Sequence, residues 1–390
     1  MQYMTDPRSG NELSILGYGC MRFPRDADKT EKLILSAIER GVNYFDTAYA
    51  YSNSEAVLGE ILHKNNMREK IFLATKLPFT KCRSYDDFDR FFQIQLDRLK
   101  TGHIDYYLIH NLSSISAWDG LCKIGIEGWI AKMKSDGKIR RIGFSFHGSR
   151  ESFMALIDAY DWDFCQIQYN YMDENYQAGK AGLLKAHGKG LPVIIMEPLL
   201  GGKLATGLPK KALKHFTDTG NAWSAASWAL RWLWNQPEVT VVLSGMNSAE
   251  QLDDNLKTAE TAKPGMLREN EAAAYAPVVA ALSEAYKVPC TGCNYCMPCP
   301  QGVNIPSCFT AYNTSYALGY VAGITQYITS TGVNNPEKNN SARKCVKCRA
   351  CEQKCPQKIK IADSLEAVTK RLEPFWFRAV MRLVSRIISR

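Results

Sequence analysis

The chain has 390 residues, 46% of them hydrophobic and 22% charged, enough for one large core and a second, smaller domain. No run of eighteen apolar residues occurs, so a helix spanning a membrane is not expected. The net charge of +9 is uneven: from Tyr286 onward fifteen Lys or Arg stand against five Asp or Glu, while the first 285 residues carry 33 against 34. A basic end of this kind is either a solvated surface or a docking region for an acidic electron carrier or an anionic membrane face. Nucleic acid is not expected, because no recognisable binding motif accompanies the charge. The opening MQYMTDPRSG lacks the charged-then-apolar pattern of a secretory signal, and a cytoplasmic location is the expectation.

Taken in chain order, Ser14–Arg22 offers a first strand, followed by Val42–Thr47, Ile71–Leu77, Ile104–His110, Arg141–Phe146, Phe164–Tyr169, Val193–Glu197 and Val239–Ser244. Helical patterns fall between them at Thr30–Arg40, Ser54–His63, Asp86–Lys100, Ile126–Ser135, Ser152–Tyr160 and Ala222–Trp234. Strands alternating with helices imply parallel βαβ units. Eight such units in about 250 residues predict a (β/α)8 TIM barrel over residues 1–263. An open doubly wound sheet is the alternative, and the lack of GxGxxG after the first strand counts against it. A connector follows at 264–289, helical over Glu269–Lys287. At 290–372 eight cysteines fall in two short runs with ferredoxin-like spacing, and a small α-helical, ferredoxin-like iron–sulfur domain is expected there. The 36 residues between Cys308 and Cys345, rich in Tyr, Gly, Asn and Thr, receive no assigned element. A basic amphipathic helix is expected over 373–390, with Phe377, Val380, Leu383, Val384, Ile387 and Ile388 on one side and Arg378, Arg382, Arg386 and Arg390 on another. It reads either as a helix packed on the barrel or as a peripheral membrane or partner contact.

Eight of the thirteen cysteines lie in two short runs: Cys290, Cys293, Cys296, Cys299 and Cys345, Cys348, Cys351, Cys355, each run followed by proline. The second run, C-x2-C-x2-C-x3-C-P, has the spacing by which bacterial ferredoxins hold [4Fe–4S] clusters. The first departs from it by one residue before Cys299. Zinc sites use four ligands in all, and disulfides belong to oxidising compartments, so iron–sulfur ligation is the stronger reading of eight thiols. In two-cluster modules the fourth cysteine of one run serves the other cluster. Similarity to them implies one cluster on Cys290, Cys293, Cys296 and Cys355, and a second on Cys345, Cys348, Cys351 and Cys299.

Barrel enzymes carry their chemistry at the C-terminal ends of strands. Asp46 ends the second predicted strand, Tyr51 follows in its loop, Lys76 ends the third and His110 the fourth. A tyrosine ordinarily ionises near pH ~10, and an ammonium beside it favours the phenolate. Asp46 would hold Lys76 charged, and a histidine beside a carbonyl oxygen would orient it. Each residue alone is more often a cap, a salt bridge or packing; the four together read as a proton-delivery set.

The stretch N-Y-F-D-T-A-x-x-Y, the lysine after the next strand and the segment I-D-Y-Y-L-I-H resemble the aldo/keto reductase superfamily over roughly residues 14–260. That resemblance implies carbonyl reduction or alcohol oxidation with NAD(H) or NADP(H), without metal in the barrel. Carried over, Tyr51 is the general acid, Lys76 tunes it, Asp46 pairs with Lys76 and His110 places the substrate. Ser145 and Gln168 match the residues facing the nicotinamide amide. Met196 stands where the family often has an aromatic ring, and thioether contacts would replace stacking. Gly201 and Gly202 resemble the loop over the pyrophosphate, and Gln251 and Asn255 the adenine-end motif. Gly245 and Gln251 fall where NADPH-preferring relatives carry Lys and Arg, which leans the expectation toward NADH.

The segment C-T-G-C-x-Y-C-M-P-C-P-x-G-V is similar to a subgroup in which such a barrel is followed by a dicluster segment. The favoured expectation is a carbonyl oxidoreductase whose two [4Fe–4S] clusters connect it to an acidic electron carrier such as ferredoxin or flavodoxin. Two alternatives stand beside it: clusters that are purely structural, and a redox-sensing or electron-transfer module with a non-catalytic barrel.

Overall fold

The computed structural model describes residues 1–333 and 339–374; the tail helix expected over 373–390 falls almost entirely outside them. The chain opens with a short antiparallel hairpin, β1 (Tyr3–Thr5) and β2 (Glu12–Ser14). Eight parallel strands then close into a barrel: β3 (Leu16–Gly19), β4 (Tyr44–Asp46), β5 (Phe72–Leu77), β6 (Ile104–Ile109), β7 (Ile139–Phe146), β8 (Phe164–Gln168), β9 (Val193–Met196) and β10 (Val241–Ser244). They pair in sequence order, and β10 pairs with both β9 and β3 to complete the ring. All eight were expected from the apolar runs. Strands covered on both faces read as near-continuous hydrophobic stretches.

Two apolar layers fill this unit. Inside the ring, Tyr44, Ala74, Tyr106, Leu108, Phe164, Ile194, Val241 and Leu243 pack together with Leu13 from the hairpin. Asp6, fully buried in the same hairpin, accepts the Tyr106 hydroxyl at 2.8 Å. Between strands and outer helices lies the larger core, with an aromatic knot of Phe88, Phe92, Tyr107 and Trp129. Helix Tyr85–Leu99 contributes to it and starts at a capping box formed by Ser84 and Asp87.

The chain divides into two compact units. The barrel unit comprises Met1–Leu199 and Ala226–Leu267. The crossover Leu200–Ala225 groups instead with the C-terminal residues from Arg268 onward, whereas a boundary drawn from sequence alone falls simply at 263. In that second unit helix Lys210–Thr217 packs on helix Tyr275–Ala285, Phe216 against Tyr275 with ring centroids 5.6 Å apart. Helices Ile305–Ala317, Tyr320–Thr331 and Ile361–Leu372 enclose a core of Val303, Phe309, Tyr327, Leu365, Val368 and Leu372. The first two fill the stretch left unassigned by the sequence. Gly323 allows their close approach, since a Cβ there would lie 2.3 Å from the Ser315 Cβ. Asn313 bonds both the N–H and the C=O of Val288, at 3.0 and 2.7 Å, tying the start of the first cysteine run to this helical core. Among the described residues no helix is long and apolar enough to cross a membrane.

Candidate active site and cysteine clusters

The buried strand β4 delivers Asp46 at its C-terminal end, and β5 delivers Lys76. Lys76 is fully buried. Its Nζ donates to Asp46 Oδ1 and Oδ2, each at 2.7 Å, and to the Thr47 carbonyl at 2.8 Å. Three acceptors thus match the three ammonium hydrogens. Burial alone pulls the Lys76 ammonium down and pushes the Asp46 carboxyl up, and the mutual attraction of the pair opposes both shifts.

Tyr51 sits in the turn after β4, with its N–H on the Ala48 carbonyl at 3.0 Å. The turn is pinned by Ser54, whose hydroxyl donates to the Cys20 carbonyl at 2.7 Å and lies 2.8 Å from Thr47 Oγ1. The Lys76 ammonium stands 4.9 Å from the centroid of the Tyr51 ring, within the range at which a cation is attracted to an aromatic face. The His110 ring meets Tyr51 edge-on, centroids 5.8 Å apart at 88°. Burial pushes His110 down to about 3, and the nearby Lys76 and His147 add to that shift. The imidazole is therefore neutral at physiological pH and able to donate through one ring N–H. All four residues read from the sequence meet at one end of the barrel.

Behind Lys76 lies a polar cluster that sequence patterning did not expose. Glu55 is buried, and its Oε1 accepts from Thr75 Oγ1 at 2.6 Å and Gln95 Nε2 at 2.8 Å. Gln95 Nε2 also lies 3.0 Å from the Lys76 carbonyl, and Gln95 Oε1 accepts the Tyr107 hydroxyl at 2.6 Å. Arg98 closes the cluster on Glu55 Oε2 at 3.1 Å. A buried carboxylate and amide in helices of ordinary amphipathic pattern give no sequence signal of such contacts.

The expected cofactor residues divide. Ser145 on β7 pairs in register with Gln166 on β8, and Gln168 with Met196 on β9. Ser145 Oγ accepts from the Asn111 N–H at 2.8 Å, which leaves its own hydroxyl hydrogen to offer. Gln168 is held by Asp173 at 2.8 Å and Gln177 at 3.0 Å. Gln166 was not read from the sequence, yet it lies on the same strand face two residues earlier. Its Nε2 meets the Met196 sulfur at 3.6 Å, and its Oε1 is buried without a partner among the described residues. A wall holding one hydroxyl donor and one orphaned acceptor fits a carboxamide, which has both kinds of group, and so fits nicotinamide.

Elsewhere the expected residues have local partners. Asn255 is buried and donates to Ser244 Oγ at 2.7 Å, and the exposed Gln251 accepts the Asn247 N–H at 2.9 Å. Gly201 and Gly202 lie in the crossover of the second unit. Gly201 has φ +69°, and a Cβ there would fall 2.1 Å from the Thr291 carbonyl oxygen. Glycine is needed at that point because the loop runs against the backbone between Cys290 and Cys293.

In the second unit Cys290, Cys293, Cys296 and Cys355 line one apolar cavity with Ile305, Phe309, Pro356 and Ile361. Burial pushes the Cys296 thiol up to about 12, and the thiols of Cys290, Cys293 and Cys355 raise it further. Burial likewise pushes Cys351 up to about 11, with Cys345 and Cys299 adding to it. The Lys347 N–H donates to Cys345 Sγ at 3.4 Å. Cys355, from the second run, thus shares a cavity with Cys290, Cys293 and Cys296 of the first. Among the described residues no three ligands converge on a point that one ion could occupy, whereas each iron of a four-iron cube takes its own thiolate and needs a wider ring. Thiols gathered in an apolar cavity without a cation repel one another on ionising, which fits a cluster that supplies the positive charge.

Comparisons with known proteins agree with this geometry. The aldo/keto reductase family model matches residues 15–265, and the 4Fe-4S dicluster domain model matches residues 289–359. An uncharacterized oxidoreductase of Bacillus subtilis, YrpG, is 27% identical over 303 residues, covering 67% of this chain and 91% of the relative. The glyoxal reductase of the same organism is 28% identical over 236 residues, 60% of this chain and 79% of the relative. Among solved structures, the aldo-keto reductase AKR11C1 from Bacillus halodurans superposes with a TM-score of 0.59 at 23% identity, covering 71% of this chain and 96% of that one. The chain belongs to the aldo/keto reductase family and carries a 4Fe-4S dicluster domain after its barrel.

Proposed function

We propose that this oxidoreductase interconverts a small carbonyl compound and its alcohol with a nicotinamide cofactor, and that two [4Fe–4S] clusters in its second unit link it to one-electron carriers. The observation that carries the reading is the fully buried Lys76, bound through three hydrogen bonds and facing the Tyr51 ring at 4.9 Å. The Tyr51 phenol gives its proton to the carbonyl oxygen in reduction and takes it back in oxidation. The Lys76 charge lowers the cost of leaving Tyr51 as a phenolate. Asp46 keeps that charge in place, and His110, neutral, donates a hydrogen bond that orients the substrate oxygen.

Ser145 and Gln166, with Gln168 behind them, hold the carboxamide, and Met196 covers the ring with a thioether rather than an aromatic plane. Nicotinamide supplies the two-electron chemistry when bound. Gln251, uncharged at the adenine-end motif, favours a cofactor without a 2′-phosphate. The clusters, on Cys290, Cys293, Cys296, Cys355 and on Cys345, Cys348, Cys351, Cys299, supply one-electron chemistry when bound.

The test is anaerobic. Cluster-reconstituted protein is assayed with NADH and NADPH against a panel of aldehydes and ketones, with nicotinamide binding followed by fluorescence on the same sample. Turnover of at least one carbonyl with saturable nicotinamide binding supports the reading. Iron-loaded protein that binds no nicotinamide and turns over nothing would overturn it.

A further inference from the structure

The geometry points to a docking face for a small acidic one-electron carrier protein around the second cysteine run, centred on Val346 and Cys348; this rests on the cluster reading above. The two thiol groups differ in access. The first lines an apolar cavity and includes the buried Cys355. In the second, Cys348 is exposed, as no other cysteine of the chain is. Val346, between Cys345 and Lys347, leaves 61% of its surface in water and puts an apolar side chain beside the exposed thiol. An electron entering from outside the protein has its shortest path where a ligand itself reaches solvent.

The segment around that point is predominantly basic. Residues 343–360 carry seven Lys or Arg and a single acidic residue, Glu352. That carboxylate is already engaged, accepting the Ala362 N–H at 2.9 Å and facing Arg349 at 3.5 Å. Lys347 and Arg349 reach back to Glu366 at 2.6 Å and Asp363 at 2.9 Å on helix Ile361–Leu372, which fixes the loop while leaving both side chains more than half exposed. Arg343 and Lys354 are exposed and make no ion pair among the described residues.

An apolar centre with a cationic rim is the anatomy of a small protein interface. Electron-transfer encounters are of the small, transient class, and complementary charge speeds them. Cys345, Cys348, Cys351 and Cys299 would hold the cluster, which would supply the one-electron acceptor that is reduced as the carrier is oxidised. No bond is made or broken and no proton moves.

The experiment uses the full chain, reconstituted anaerobically, and a small acidic ferredoxin as the probe. Binding is measured by calorimetry, and one-electron transfer by stopped-flow absorbance. The proposal expects a Kd that rises at least tenfold between low and near-physiological salt. It also expects Arg343→Glu, Lys354→Glu and Val346→Asp each to weaken binding several-fold at low salt, while Lys123→Glu on the barrel does nothing. Iron content and cluster absorbance confirm that each variant retains its clusters. Ferredoxin binding unmoved by all three substitutions overturns the proposal, as does their abolishing binding to phosphatidylglycerol vesicles while the carrier neither binds nor exchanges an electron. If the protein holds reducible clusters but no ferredoxin docks, this inference fails alone. If it takes up no iron, the cluster reading fails and the inference with it.

Discussion

Lys76 holds both carboxylate oxygens of Asp46 at 2.7 Å inside a barrel where neither side chain meets appreciable solvent. Two opposite charges taken out of water stabilise each other only as a pair. Removing one partner strands the other, at a cost of about 3–5 kcal/mol. Lys76→Met or Asp46→Leu alone should therefore lower the urea midpoint sharply, while the double variant recovers part of the loss. Equal, additive losses measured by chemical denaturation would show that the two charges are not coupled.

His110 gives a pH signature of known sign. Its folded value is depressed to about 3, while the unfolded chain titrates near ~6.5. Between those limits the unfolded state binds more protons, so the contribution to stability is complete above pH ~6.5 and is lost as pH falls toward 3. The residue as a whole is half-buried, which moderates the size of the effect but not its direction. His110→Gln should flatten the slope of stability against pH in that window. In the wild type no acid limb of kcat/KM between about pH 5 and 7 should belong to this histidine.

Gln95 serves Glu55, Tyr107 and the Lys76 carbonyl at once. Gln95→Leu has nearly the right shape but leaves a buried carboxylate and a buried hydroxyl short of partners. Each such loss costs about 1–3 kcal/mol. Thermal unfolding should register it, whereas Gln93→Leu, on the exposed side of the same helix, should stay within about 0.5 kcal/mol of wild type.

The crosswise thiol grouping makes a prediction that a run-by-run grouping does not share. Cys355→Ser should abolish the same cluster signal as Cys293→Ser, and Cys299→Ser the same signal as Cys348→Ser. EPR of the reduced protein, with iron falling to about half, separates the cases. A Cys355→Ser spectrum matching that of Cys348→Ser would reverse the assignment.

What could be read before folding follows from how local each signal is. The barrel strands are apolar runs of the right length, and each appeared where the sequence put it, with ends displaced by a few residues. The hairpin Tyr3–Thr5 with Glu12–Ser14 escaped because three-residue strands are too short to show alternation. Helices Ile305–Ala317 and Tyr320–Thr331 escaped for another reason. Asn313, Ser315 and Thr331 are buried there by tertiary contacts, and their composition argues weakly for helix. Asp46, Tyr51, Lys76 and His110 were legible because strand ends are where barrel chemistry sits. The triple hydrogen bonding of Lys76 and the orphaned acceptor of Gln166 depend on distances between strands, which no spacing along the chain encodes.

The Tyr51 phenol is the proposed proton donor. Its most direct measurement is kcat/KM for a reducible carbonyl with wild type and Tyr51→Phe, both cluster-reconstituted, alongside the nicotinamide Kd of each. Proton donation by Tyr51 predicts a loss of about 10²- to 10⁴-fold in kcat/KM with an unchanged Kd and unchanged circular dichroism. A Tyr51→Phe protein that turns over as fast as wild type would contradict it.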